Sequence, residues 1–308
     1  MNFQKIPSVI DSKTILDEAF RKARIKGRQK NIKGNWLQII RRKESLKLDV
    51  IKDLIEQHLQ RIITDFPDLQ VLPEFYIKLM NLTIDLPQLR RSLSSIDWAV
   101  KTLRQLHRES VRNTTKEKDR TDIKAILNKF YGRTSSIIKQ IDKDLKFLEK
   151  SRQVMRSYPD IKEMFTVCIY GFPNVGKTTL LNELTKTKAK TAAYAFTTKT
   201  INAGYFTIND KTIQVLDLPG TLARDDKMNN IEKQADLVLK ELADLVIYVY
   251  DITEQCGFSL ENQKELFKKI SGNKILTYLS KKDLMDKVNW KEKHYSIKEI
   301  KREIGQLA

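Results

Sequence analysis

Apolar residues in the first half of the chain recur three or four positions apart, which is the spacing of one face of an α-helix. The apolar stripes are Leu48, Ile51, Leu54, Ile55, Leu59, Ile62, Ile63 and Phe66; Leu93, Ile96, Val100, Leu103 and Leu106; and Ile137, Ile138, Ile141, Leu145 and Leu148. The prolines that separate or flank them are Pro67, Pro73, Pro87 and Pro159. Because proline removes a backbone donor and ends helices, the pattern predicts long helices packed as an antiparallel bundle around these stripes.

From Glu163 onward, short runs of β-branched and aromatic residues alternate with helical segments. The predicted strands are residues 165–170, 201–206, 213–216, 245–250 and 275–279. This alternation is typical of a parallel sheet with crossover helices, in which ligands bind beyond the carboxyl ends of the strands. We therefore predict an all-α antiparallel helical bundle domain over residues 1–160 and an α/β domain with a mostly parallel sheet over residues 161–308.

The composition fits two globular domains, because 308 residues with 41% apolar content can form two cores. The formal net charge is +18, and residues 1–160 carry most of it, with 34 basic and 20 acidic side chains. The densest basic stretches are residues 21–30 and 41–43. A phosphate backbone is one partner that would suit them, and a solvated lysine-rich surface is the simpler alternative. Charge alone leaves RNA and DNA open.

No targeting signal or membrane-spanning run is visible, so we expect no membrane partner and a cytoplasmic protein. Cys168 and Cys256 lack the spacing of a metal site, and buried or free thiols are favoured over a disulfide. His58, His107 and His294 are scattered without the spacing of metal ligands, and we assign them no metal. The sequence does not reveal the oligomeric state, and we expect a monomer.

The segment Gly171-Phe-Pro-Asn-Val-Gly-Lys-Thr-Thr179 has the spacing of a phosphate-binding loop and follows a predicted strand. Its glycines let backbone N–H groups approach phosphate oxygens, while Lys177 reaches the β/γ-phosphates and Thr178 offers a hydroxyl to Mg²⁺. The predicted nucleotide-binding residues here are Asn174, Val175, Gly176, Lys177, Thr178 and Thr179. A helix over residues 178–184 would point its positive end at the anion. A chance glycine-rich turn is the alternative, and the flanking strand and helix disfavour it.

Two further segments would complete a metal and phosphate site. In Asp217-Leu-Pro-Gly220, which follows a predicted strand, the carboxylate can hold Mg²⁺ through water and the Gly220 N–H can meet the γ-phosphate. Between this segment and the phosphate loop lie Thr197 and Thr198, and we favour Thr198 as a second hydroxyl ligand of the metal. Strand propensity explains a threonine pair about as well. Lys177, Thr198 and Gly220 are therefore the predicted catalytic residues, and Thr178, Thr198 and Asp217 the predicted metal ligands.

The segment Ser280-Lys-Lys-Asp283 follows the last predicted strand, where a guanine-reading element would stand. Asp283 would accept hydrogen bonds from guanine N1–H and the exocyclic amine, which adenine does not offer. The methylene stem of Lys281 would lie on the base. A site built around a carboxylate rejects a base that leaves it unpaired, which makes Asp283 an effective discriminator.

Taken together, these motifs resemble the Obg-related GTPases, and most of all the nucleolar GTP-binding protein (Nog-type) family in its short archaeal form. The segments that carry the resemblance are residues 171–182, 194–198, 217–220 and 251–261, with Phe66-Pro-Asp-Leu69, Leu72-Pro-Glu-Phe-Tyr76, residues 131–141 and Tyr158-Pro-Asp-Ile161 in the helical half. The resemblance implies an N-terminal helical bundle joined to a P-loop GTPase domain that binds GTP or GDP with Mg²⁺. It also implies action in assembly of the large ribosomal subunit, with ribosomal RNA or a pre-ribosomal particle as partner.

The resemblance also implies roles for residues that the motifs alone do not assign. Family members usually have asparagine where Ser280 stands, and its longer amide contacts the base and braces the phosphate loop. The usual Ser-Ala-containing loop is best matched by Ser296, just before the final helix. In related potassium-activated GTPases, the asparagine that matches Asn174 helps to hold a monovalent cation, so K⁺ is a further cofactor hypothesis.

Three functions are compatible with these residues. In the first, the chain is a GTPase with slow intrinsic hydrolysis, because Thr221 rather than a water-orienting glutamine follows Asp-x-x-Gly. In the second, it is an RNA-binding assembly factor that holds guanine nucleotide as a conformational ligand with negligible turnover. In the third, it is an ATP-using enzyme, which depends only on the general phosphate loop.

Overall fold

The structure, a computed structural model, describes residues 3–28, 33–158, 164–185, 194–196, 199–220, 230–270, 274–285 and 290–308. Its helices are α1 (Ser12–Gly27), α2 (Trp36–Asp65), α3 (Glu74–Thr83), α4 (Leu86–Lys116), α5 (Arg120–Gln140), α6 (Asp142–Met155), α7 (Lys177–Thr185), α8 (Asn230–Leu242), α9 (Leu260–Lys268) and α10 (Ile297–Leu307). Its strands are β1 (Thr166–Tyr170), β2 (Tyr194–Phe196), β3 (Lys199–Ile208), β4 (Lys211–Asp217), β5 (Leu245–Asp251) and β6 (Lys274–Ser280).

The chain divides into two compact units. The helical unit comprises Gln4–Leu72 and Ile84–Arg156, and the sheet unit comprises Pro73–Thr83 and Ser157–Ala308 together with Phe3. The predicted domain boundary after residue 160 falls in residues 159–163, outside the described residues, and stays a prediction. None of the helices in the described part of the chain combines the length and apolar character that crossing a lipid bilayer requires.

The helical unit is the predicted antiparallel bundle, and its polar contacts show the direction of the helices. His107 on α4 lies 2.8 Å from Asp49 on α2, and the Arg41 guanidinium of α2 donates to the Glu117 carbonyl just beyond α4. Because positions early in α2 meet positions late in α4, these two helices are antiparallel. The first apolar stripe forms the core as predicted, since Leu48, Ile51, Ile55 and Leu59 are fully buried.

One helix prediction needs correction. The third apolar stripe belongs to two helices, because α5 ends at Gln140 and α6 begins at Asp142. Ile141 caps both helices, and no side chain caps α6 at this point. The apolar spacing continues through the break, since Ile138, Ile141 and Leu145 are all buried. The pattern of apolar residues therefore does not reveal the interruption.

The sheet unit contains a six-stranded sheet in the order β2-β3-β4-β1-β5-β6. Strands β4, β1, β5 and β6 are parallel, whereas β3 is antiparallel to both β4 and β2. This confirms the mostly parallel sheet and all five predicted strands, and it adds the short strand β2. The carboxyl ends of the parallel strands meet at one edge, where Tyr170, Asp217, Asp251 and Ser280 end their strands.

Helix α3 lies in the sheet unit although its apolar spacing resembles that of the bundle helices. Its Lys78 ammonium is 2.9 Å from Glu241 on α8, and the ring of its Tyr76 meets Phe3 at 5.0 Å between centroids. Phe3 in turn contacts Tyr158 edge to face at 5.5 Å. These contacts between distant parts of the sequence place α3 with the sheet, and no local pattern predicts them.

Candidate nucleotide-binding site

The loop between β1 and α7 has the backbone conformation that close approach to an anion requires. Gly171 and Gly176 have φ angles of 148° and 97°, which side-chain-bearing residues rarely adopt. Asn174 is in the left-handed region at φ 61°, where asparagine is tolerated better than most residues. Phe172 and Val175 are buried beneath the loop, so its conformation is fixed from the protein side while Asn174 stays exposed.

Lys177 is the first residue of α7, and its side chain folds back over the loop. Its ammonium donates to the Phe172 carbonyl at 2.7 Å and to the Gly171 carbonyl at 3.3 Å, and the residue is only 8% exposed. Burying an ammonium costs free energy, which favours a negatively charged ligand beside it. The residues present therefore fit the phosphates of a nucleotide, at the positive end of a nine-residue helix. Thr179 is exposed on the same first turn of α7.

Asp217 and Thr178 lie together beside this loop. The Thr178 hydroxyl donates to a carboxylate oxygen of Asp217 at 2.5 Å, and the Asn202 amide donates to the same oxygen at 3.2 Å. Burial raises the pKa of the Asp217 carboxyl above its ordinary value, and the Thr178 hydrogen bond and the nearby Lys177 charge oppose this shift without cancelling it. A buried carboxylate of this kind is stabilised by a cation, and paired oxygen donors suit Mg²⁺.

Gly220 packs directly against the backbone of the phosphate loop. A Cβ atom at this position would lie 2.4 Å from the Pro173 nitrogen and 2.8 Å from the Phe172 carbonyl carbon. Any side chain would therefore push residue 220 away from the loop. The close approach is consistent with the predicted role of the Gly220 N–H at the γ-phosphate, which stays a prediction.

The predicted base-reading residues follow β6. Asp283 is exposed in a short 3-10 turn, Lys282–Leu284, and Lys281 precedes this turn with a left-handed φ of 53°. The Ser280 hydroxyl donates to the Tyr250 carbonyl on β5 at 2.9 Å. Ser280 neighbours the phosphate loop, since an ideal Cβ built at Gly176 would lie 3.4 Å from the Ser280 Cβ.

Asp251 is a further residue of this region, and it is not among the predicted site residues. It ends β5 and is fully buried, and its carboxylate accepts four hydrogen bonds. The donors are the Lys281 ammonium at 2.6 Å, the Thr253 amide at 3.0 Å and hydroxyl at 2.6 Å, and the Cys256 amide at 2.7 Å. Burial opposes ionisation, but these donors together hold the pKa of Asp251 below its ordinary value. One sequence pattern could have indicated Asp251. An aspartate that ends a strand two residues before a threonine is common in turns, where its side chain accepts from the backbone.

The remaining residue with a predicted nucleotide contact is Ser296, which lies at the start of the last helix. Ser296 is the N-cap of α10 and forms a capping box with Glu299, so its hydroxyl and amide bond within that turn. The amide of Tyr295 donates to the Thr277 carbonyl, which attaches this segment to β6. The nucleotide contact of Ser296 therefore stays a prediction. Thr197, Thr198 and Thr221 lie outside the described residues.

A mostly parallel sheet, a phosphate loop that opens a helix, and a paired threonine and aspartate beside it define a P-loop nucleotide-binding domain. The family model for the 50S ribosome-binding GTPase matches residues 166–282 of the chain. The model for the NOG1 N-terminal helical domain matches residues 3–162, which is just over half of the sequence. The chain therefore belongs to the NOG1 family of GTP-binding proteins.

Individual proteins agree with this assignment. An uncharacterized protein of Methanocaldococcus jannaschii is 33% identical over 289 residues, which covers 92% of this chain and 81% of that protein. Nucleolar GTP-binding protein 1 of Drosophila melanogaster is 33% identical over 271 residues, which covers 87% of this chain and 42% of that protein. The chain thus spans less than half the length of this nucleolar relative. The G domain of the T. maritima FeoB iron transporter is 32% identical over 41% of this chain and 78% of that domain, with a TM-score of 0.35, too low to bear on the fold.

Proposed function

We propose that this protein binds GTP with Mg²⁺, hydrolyses it slowly to GDP and phosphate, and acts as an assembly factor for the large ribosomal subunit. The observation that carries the proposal is the cluster of Lys177, Thr178 and Asp217 around the glycine-bounded loop. Lys177 supplies positive charge to the phosphates, while Thr178 and Asp217 present oxygen atoms to the metal. When bound, Mg²⁺ neutralises charge on the β- and γ-phosphate oxygens.

Guanine specificity is supported by Asp283, whose carboxylate is exposed two residues beyond Lys281. It can accept hydrogen bonds from N1–H and the exocyclic amine of guanine. Direct competition between GTP and ATP for the site tests this part of the proposal. Equal affinity for the two nucleotides would favour an ATP-using enzyme instead.

Slow hydrolysis is supported by the sequence after Gly220, where Thr221 and Leu222 offer no side chain suited to orienting water. The same observation favours the second candidate function, a binding protein with negligible turnover. Stimulation by potassium at Asn174 is a further part of the proposal, supported by the exposed position of this residue on the loop. Equal hydrolysis rates in potassium and sodium buffers would contradict it.

An RNA partner is supported by the charge of the helical unit. Exposed basic residues on it include Arg21, Arg24, Lys26, Arg28, Arg42, Arg108 and Arg112. Arg41 is different, because its guanidinium donates to the Glu117 carbonyl and so holds two helices together. Clustered exposed cations attract a phosphate backbone without reading its sequence. The name of the nucleolar relative and the 50S ribosome-binding GTPase model support a ribosomal particle as the source of that RNA.

Single-turnover hydrolysis with and without large-subunit particles tests the whole proposal. We expect slow loss of the γ-phosphate from bound GTP and acceleration when particles are added. Absence of both hydrolysis and acceleration, with GTP binding intact, would favour the binding protein with negligible turnover. A monomeric state and a cytoplasmic location stay predictions, which size measurement and cell fractionation can check.

A further inference from the structure

The base-reading segment is attached to β5 at two points. Ser280 pairs with Asp251 in the register of β6 and β5, and its hydroxyl donates to the Tyr250 carbonyl at 2.9 Å. One residue further on, the Lys281 ammonium reaches the Asp251 carboxylate at 2.6 Å. Ser280 also neighbours the phosphate loop, since an ideal Cβ built at Gly176 would lie 3.4 Å from the Ser280 Cβ. The side-chain hydrogen bonds of Ser280 and Lys281 described above both go to the end of β5.

The backbone of Asp251 is itself held by hydrogen bonds from α9. Gln263 of α9 is fully buried, and its side chain accepts from the Asp251 amide at 2.9 Å and donates to the Asp251 carbonyl at 3.1 Å. The Tyr248 hydroxyl donates to the Gln263 carbonyl at 2.6 Å, which connects α9 to the middle of β5. The Asp251 carboxylate thus occupies a defined position from which it can hold another group.

The Asp251 carboxylate holds the ammonium of Lys281, a residue whose backbone conformation is unfavourable. Its backbone is left-handed at φ 53°, a conformation that non-glycine residues adopt at an energetic cost. Its side chain is 24% exposed and its partner is fully buried, so the ion pair is shielded from solvent screening. Asp283 follows two residues later in the same turn. An anchored Lys281 therefore limits the positions that Asp283 can take.

We propose that Asp251 is a positioning residue for guanine recognition, which acts through Lys281 without touching the nucleotide. Anchoring the ammonium holds the methylene stem of Lys281 where the base would lie and holds the following turn so that Asp283 faces the edge of guanine. This inference depends on the proposed function, because it assumes that Asp283 reads the base.

Asp251→Asn is the first test, because asparagine keeps an oxygen that can accept from the Thr253 amide and hydroxyl, while its NH₂ group replaces the oxygen that accepts from Lys281 and the Cys256 amide. The measurement is titration with GDP and with inosine diphosphate, which lacks the exocyclic amine that guanine offers to Asp283. We expect GDP to bind about tenfold more weakly, and the preference for GDP over inosine diphosphate to fall. General destabilisation would lower the fraction of folded protein without changing this preference.

Lys281→Met is the second test, because it keeps the stem and removes the ammonium. We expect a lower preference for GDP here as well, and the double variant Asp251→Asn/Lys281→Met should be no worse than Lys281→Met alone, since the two residues act as one unit. Lys282→Met is the matched control. This neighbouring lysine has no ion pair among the described residues, and its variant should bind GDP as the wild type does.

Unchanged GDP affinity and preference in a folded Asp251→Asn variant would overturn the inference, as would fully additive effects in the double variant. If Asp251→Asn does not fold, the GDP preference of Lys281→Met decides the question. A lower preference for GDP would support the inference, and an unchanged preference would overturn it. If the wild-type protein does not bind GDP, both the proposed function and this inference are overturned. A wild type that binds GDP beside an unaffected Asp251→Asn variant would overturn the inference alone.

Discussion

The two units of the molecule treat their carboxylates differently. In the helical unit, Glu149 pairs at 2.7 Å with Arg152 on the same helix and remains partly exposed. In the sheet unit, Asp217 and Asp251 are almost completely buried at the ends of β4 and β5. Burying a carboxylate costs free energy unless donors or cations compensate. The buried carboxylates that can hold a metal ion or another side chain therefore lie at the strand ends rather than in the more highly charged bundle.

The two buried carboxylates also differ from each other. Asp251 has a cation of its own in Lys281, and the pKa of Asp251 is lowered. Asp217 accepts from a hydroxyl and an amide, and burial raises the pKa of Asp217 despite the charge of Lys177. Asp217 is therefore the carboxylate that a metal ion would stabilise, whereas Asp251 already serves to hold protein atoms in place.

Of the substitutions that test this difference between the two carboxylates, replacing Asp217 should have the largest effect, and the effect should be on GTP hydrolysis. We expect Asp217→Asn to slow Mg²⁺-dependent GTP hydrolysis by about two orders of magnitude, because the metal loses a charged partner. Single-turnover hydrolysis at saturating Mg²⁺ measures this. The matched control is Asp210→Asn, an exposed aspartate in the turn between β3 and β4. Equal rates for the two variants would remove Asp217 from the proposed metal site.

Replacing Asp283 tests the other end of the site. We expect Asp283→Asn to weaken GTP binding by one to two orders of magnitude, roughly, and to improve binding of xanthosine triphosphate, because an amide can donate to the carbonyl that replaces the exocyclic amine. Competition between the two nucleotides measures the change in preference. An unchanged ratio would mean that Asp283 does not read the base.

A smaller effect is expected in the helical unit. The Arg152 guanidinium lowers the pKa of Glu149 to about 2 against the opposing effect of burial. A lowered pKa contributes stability that is present above the unfolded-state value near 4.5 and is lost as the pH falls toward 2. Glu149→Gln should therefore reduce the free energy of unfolding by about 1–2 kcal/mol at pH 7 and by much less near pH 2.

Denaturant unfolding at several pH values measures this loss. Nucleotide affinity of the folded Glu149→Gln variant should equal that of the wild type, since the substitution acts on the bundle alone. A loss of stability that is the same at pH 7 and at pH 2 would show that Glu149 acts through packing rather than through its charge.

The smallest expected effect is a gain in the free energy of unfolding when Asp217 is replaced in the nucleotide-free protein. Because the folded-state pKa of Asp217 is raised, its ionised form destabilises the nucleotide-free protein at neutral pH, and the penalty disappears as the pH falls below the ordinary aspartate value. Asp217→Asn should therefore stabilise the protein without nucleotide and Mg²⁺ by about 1 kcal/mol at pH 7. Denaturant unfolding in the presence of a chelator measures it. A loss of stability would mean that the Thr178 and Asn202 hydrogen bonds outweigh the cost of burial.

Much of the fold could be predicted from local pattern. Helix α2 and the strands of the sheet follow directly from apolar spacing, because that spacing reflects burial of one face or of a whole strand. The break at Ile141 could not be predicted, since apolar residues continue through it. The placement of α3 in the sheet unit depends on contacts with Phe3 and Glu241, which are remote in sequence.

The sequence by itself determined the class of the site, because the backbone conformation of a phosphate loop requires glycines at defined positions and a lysine at the start of a helix. Only the tertiary structure decided which donors each buried carboxylate receives. Asp217 and Asp251 both end a strand, and nothing in their local sequence states that one meets Thr178 and the other Lys281. The physical reason is that hydrogen bonds and ion pairs across 30 or more residues depend on strand order and register, which are properties of the assembled sheet.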